Sequence, residues 1–65
     1  MPWFMVTCFR DGKAEGAYQK TEAADAREAA ENVCGGPLLE GAGLNVRATV
    51  RPLDDPEKIK TFRSA

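Results

Sequence analysis

Aromatic rings and cations, more than acids and nucleophiles, are the chemistry this chain has to offer. Trp3, Met5 and Phe9 share one side of the run Trp3–Phe9, Tyr18 lies on the next strand-like segment, and Arg47 and Arg51 punctuate a later apolar run. Gathered on one sheet face, such a set supplies flat surfaces for packing and guanidinium groups for carboxylates or phosphates. Two functions use that mixture. Protein contacts rely on Trp, Tyr and Arg as anchors, and single-stranded nucleic acid is held by bases stacked on rings with cations on its phosphates. Nine basic residues against ten acidic ones give a polyanion little field to follow. A protein partner, or a second copy in a homodimer, is therefore the first expectation, with single-stranded nucleic acid as the alternative. The candidate binding residues are Trp3, Met5, Phe9, Tyr18, Arg47 and Arg51, with Lys20 at the rim.

Catalysis is poorly supplied. The chain has no His for general base work near neutral pH, and Ser64, its only serine, sits beside the C-terminus. Asp25, Asp54 and Asp55 occupy helix-start positions, and Glu28 and Glu31 fall on a polar helix face. Cys8 and Cys34 fall on interior positions, where a thiol is inert. No enzyme activity and no catalytic residue are expected. Two cysteines without histidine cannot complete a tetrahedral zinc site, so neither metal nor cofactor is expected. Gly41-Ala42-Gly43 is a G-x-G fragment, but it precedes a strand and lacks the Lys and Ser/Thr of a phosphate loop.

These residues must be positioned by few elements. Trp3–Phe9 is apolar on both alternating sides, with Phe4, Val6 and Cys8 opposite Trp3, Met5 and Phe9, which places it mid-sheet. Asp11-Gly12 marks a hairpin turn, and a second strand runs from about Ala14 to Ala23. A two-residue loop sets Val6 opposite Ala17 and Met5 opposite Tyr18; Gly16 marks a candidate bulge. Asp25 and Glu28 form a capping box for a helix whose buried stripe is Ala26, Ala29, Ala30, Val33 and Cys34. Arg27, Glu28, Glu31 and Asn32 face water, and Gly35 and Pro37 end the helix. Residues 35–43 read as a flexible Gly-rich connector, in which Leu38 and Leu39 plug the core or anchor a partner. Leu44, Val46, Ala48 and Val50 then alternate with Asn45, Arg47, Thr49 and Arg51 as a third strand, its apolar side toward the helix. Residues 54–65 form a tail; Asp54-Asp55-Pro56-Glu57 favours a short helix, and an edge strand over 58–63 is the alternative.

The expected fold is α+β: a three-stranded antiparallel sheet of order 2-1-3 with one helix on one face (β-β-α-β), then a short C-terminal helix or extended tail. Sixty-five residues suffice for one small domain, residues 1–65, of ordinary globular composition. No stretch is long and apolar enough for a membrane span, and the start lacks a signal-peptide pattern, so a cytoplasmic location is expected. Two free, buried thiols are favoured there over a Cys8–Cys34 disulfide, which is sterically conceivable. Glu22, Asp25, Glu28 and Glu31 make a candidate acidic strip on the helix side, more simply a solvated face.

The run Tyr18-Gln19-Lys20-Thr21-Glu22-Ala23-Ala24-Asp25-Ala26-Arg27-Glu28-Ala29-Ala30 resembles a strand-to-helix junction of small bacterial and phage proteins. Among them are some anti-CRISPR inhibitors built from a bent antiparallel sheet and one helix. The resemblance implies a small inhibitor that acts by covering a partner's surface; it assigns no functional residue.

Overall fold

A computed structural model of the chain describes residues 1–41, 43 and 45–65. Its longest strand, β1 (Trp3–Arg10), places Phe4 and Val6 in the core with Cys8 packed against them, and turns Trp3, Met5, Thr7 and Phe9 to the other face. Asp11 and Gly12 both adopt positive φ (52° and 79°), as an Asp-Gly hairpin turn requires. The returning arm is in two pieces, β2 (Lys13–Ala14) and β3 (Gln19–Glu22), parted around Gly16 at φ 83°. The expected register is corrected there. Phe9 faces Ala14 beside the turn, but Val6 faces Gln19 and Met5 faces Lys20. The slip is two residues, an even number, so the side chains of β3 keep their faces.

Helix α1 (Ala26–Cys34) starts on Asp25, whose Oδ1 accepts the Glu28 N–H at 2.8 Å, while Glu28 Oε2 accepts the Ala24 N–H at 3.2 Å. Gly35, at φ 85°, ends it and donates its N–H to the Glu31 carbonyl. Ala29 and Ala30 are fully buried, so the helix lies close to the sheet but contributes little apolar area. Glu31, expected in water, is half-buried: its Oε2 accepts the Leu38 N–H at 2.9 Å and stands 3.6 Å from Arg27 Nε.

The second half of the chain overturns the three-stranded sheet. Three further strands follow the helix: β4 (Leu38–Glu40), β5 (Val46–Pro52) and β6 (Lys60–Ser64). All six strands form one antiparallel sheet of order β2-β1-β5-β6-β4, with β3 also paired to β1. Residues 54–57 make turns, not the short helix favoured by their acidic and proline pattern, with the Asp55 N–H on the Pro52 carbonyl and the Lys58 N–H on that of Asp55. The expected tail is instead β6, and it is no edge strand: it lies between β5 and β4 and buries Phe62 to 1% exposure. The expected connector contains β4, which sends Leu38 into the core and leaves Leu39 exposed. Phe62 and Leu38 are the reason these strands form. With an alanine helix overhead, the core needs two more large side chains, and pairing β4 and β6 brings both.

Of the third-strand stripe, Ala48 and Val50 are buried under α1, Val46 is half-buried, and Leu44 lies outside the described residues, as does Ala42 of the G-x-G fragment. Cys8 and Cys34 are bonded, which corrects the expectation of free thiols. The bond joins β1, which lies beside the middle strand β5 and not at the sheet's centre as its two-sided apolar pattern predicts, to the last residue of α1 across a Cα–Cα distance of 5.5 Å. Among the described residues no helix is long and apolar enough to cross a membrane.

Candidate functional site

One face of the sheet carries α1; the other is covered by no element of the described chain. Strand pairing arranges its side chains in cross-strand rows. Glu22 and Trp3 lie side by side at one end. Next come Lys20, Met5 and Arg51, with Met5 between the two cations. Then Thr7, Thr49 and Thr61 form a ladder across β1, β5 and β6. Arg63 and Leu39 pair further along, on β6 and β4.

The apolar groups on this face are unevenly exposed. Trp3 is 48% and Tyr18 51% exposed, while Met5 and Phe9 are half-buried between neighbours. Two shallow clefts result. One, of about 290 Å³, is lined by Met5, Thr7, Tyr18 and Arg51, so Tyr18 and Arg51 converge from β1's two neighbouring sides. The other, of about 350 Å³, is lined by Pro2, Trp3, Leu53 and Asp54 and is mostly apolar. It is held in place by the Leu53 N–H, which donates to the Trp3 carbonyl at 3.0 Å.

The charges are unbalanced. Among the described residues, Lys20, Arg51 and Arg63 take part in no ion pair, whereas Glu22 lies 3.8 Å from the N-terminal ammonium. Glu22 therefore sits at the rim of the open face, not in an acidic strip with the helix. The other three acids of that strip have structural partners: Asp25 and Glu28 cap α1, and Glu31 holds β4.

Five of the six candidate residues thus belong to this face; Arg47 does not. The pairing of β5 with β6 shifts register between Val46 and Ala48, and this irregularity takes Arg47 out of the simple alternation. Its guanidinium lies on the helix side, 3.5 Å from the Cys34 carbonyl and 3.5 Å from Ser64 Oγ. A cation there complements the negative end of the helix. Leu39, one of the two leucines expected to plug the core or anchor a partner, is exposed on this face, whereas Arg63 and the threonine ladder are site features not singled out from the sequence. The alternation Thr61-Phe62-Arg63 carries the signal, but it assigns faces only if the segment is a strand.

Among the described residues no group of three or more His, Cys, Asp or Glu side chains stands close enough to hold a metal ion. No protein-family model, no curated protein and no solved structure matches the chain.

Proposed function

We propose that the chain is a small, non-enzymatic protein-binding module that works through its open sheet face. The observation that carries this is Trp3. A tryptophan on β1, a strand paired on both sides, stays half exposed although every strand among the described residues is already in the sheet and the helix is committed to the opposite face. Trp3, Met5, Phe9 and Tyr18 supply rigid contact area, and Arg51 supplies bidentate hydrogen bonding. The mechanism is steric: the face occupies a partner's surface and blocks or recruits it. The resemblance of the Tyr18–Ala30 junction to segments of small bacterial and phage proteins, some anti-CRISPR inhibitors among them, fits such a role.

Capture from a lysate of the source organism tests it. The wild-type chain and a helix-face variant, Asn32→Ala, are expected to retain the same protein, while the double variant Trp3→Ala/Tyr18→Ala loses it. Nuclease treatment is expected to change nothing. Retention that nuclease abolishes, or that survives the double variant, contradicts the proposal.

A second reading has its own support. Threonine hydroxyls flanked by Lys20, Arg51 and Arg63 and by two exposed rings also suit a single strand of nucleic acid, whose affinity would fall steeply with added salt.

The compartment follows the cysteines. A cytoplasmic location is expected from the sequence, but a cross-link between β1 and α1 favours an oxidising compartment, where it persists. Alkylation of intact cells before lysis should find Cys8 and Cys34 protected; two alkylated thiols would return the module to the cytoplasm.

A further inference from the structure

Resting on the protein-binding reading, we infer that the partner is an acidic protein surface presenting one bulky apolar side chain beside its carboxylates, and not a second copy of this chain. Charge decides the sign. Lys20 and Arg51 flank Met5 in one row with no ion-pair partner among the described residues, and Arg63 lies further along the same face. The face has one acid in its rows, Glu22, 3.8 Å from the N-terminal ammonium, and a second, Asp54, at the wall of the neighbouring cleft, against the three cations.

Two copies docked face to face would oppose these cations to their own kind. They would also bury the Thr7-Thr49-Thr61 ladder against an identical row of hydroxyls, where a dimer interface calls for apolar surface. An acidic partner meets neither obstacle, because carboxylates accept from both the guanidinium and the hydroxyls.

The apolar element comes from the neighbouring cleft. Pro2, Trp3 and Leu53 line space enough for one large side chain. Along both β1 and β5 the cleft lies two residues from the Met5–Arg51 pair, about 7 Å. That is the spacing of same-side residues in an extended peptide. Asp54 forms part of the cleft's wall, so the partner's carboxylate belongs on the Arg51 side of the anchor and not beyond it. Aliphatic Leu53 at this point is of more use to a protein side chain than to a base.

The test uses a random glutamate–tyrosine copolymer as probe, with polyglutamate, a lysine–tyrosine copolymer and oligo(dT) beside it, read by calorimetry and by Trp3 emission. The copolymer of glutamate and tyrosine should bind and shield Trp3, polyglutamate should bind more weakly, and the lysine copolymer should not bind. Lys20→Glu and Arg51→Glu should each weaken binding at least about tenfold, a loss of one charge-assisted contact. Lys13→Glu changes the net charge as Lys20→Glu does but pairs with Arg10 on the other side of the sheet, and it should bind as wild type. Equal weakening by Lys13→Glu, or equal affinity for polyglutamate, overturns the inference. So does self-association abolished by Lys20→Glu without uptake of the copolymer, although that result keeps a protein-binding face. Tighter binding of oligo(dT) than of the copolymer overturns the inference and the protein-binding reading together.

Discussion

Reduction of the Cys8–Cys34 bond is expected to destabilise the protein by about 3.5 kcal/mol, the loop-closure entropy returned to the unfolded chain at a sequence separation of 26. A domain of this size holds only about 3–10 kcal/mol in total. The loss therefore removes a large share of its stability and lowers the melting temperature by roughly 15–25 °C. The location of the bond adds to the effect. Helix α1 buries alanines and little else, so the anchor at its last residue replaces much of the apolar contact a longer-branched stripe would give. Thermal melts followed by circular dichroism, with and without a phosphine reductant and for the Cys8→Ala/Cys34→Ala variant, measure it. A melt indifferent to both would show that the helix is held by packing alone.

Phe62→Ala is expected to cost about 4 kcal/mol, the range for removing a buried ring and leaving its cavity. Phe62 is the largest fully buried side chain, and it packs with Val6, Leu38 and Val50 at the centre of the core. Ile59→Ala, three residues earlier and about half exposed, should change stability by no more than about 0.5 kcal/mol. The contrast between two apolar residues of one segment, measured by urea unfolding, distinguishes a strand paired on both sides from a loose tail. Equal and small effects would contradict the placement of β6.

Local chemistry made the first half of the chain readable. Asp11-Gly12, the Asp25–Glu28 box and Gly35 each act through their own backbone or side chain, and each does so in the structure. The face assignment of Lys20 and Tyr18 survived a wrong register because the bulge at Gly16 inserts an even number of residues. The second half depended on tertiary contacts that no local rule encodes. Asp54-Asp55-Pro56-Glu57 is a sound helix start in isolation, but Phe62 gains more by burial in a strand than a one-turn helix could return. Leu38 and Leu39 looked like part of a loop because glycines flank them, and three residues show no reliable period. Arg47 was misplaced by strict alternation, which one register shift in β5 breaks. The cysteines were misjudged from the expected compartment, not from geometry: one lies on the core side of β1, the other at the end of the helix above it.

The claim beneath the proposed role is that the chain leaves one face of its sheet bare. Trp3 is the only tryptophan, so its fluorescence reports that face without interference. In the dilute monomer its emission should lie toward that of a solvated indole and be quenched readily by iodide, with partial shielding matching a half-exposed ring. A blue-shifted emission that iodide cannot reach would mean the face is already filled, and no docking surface would remain.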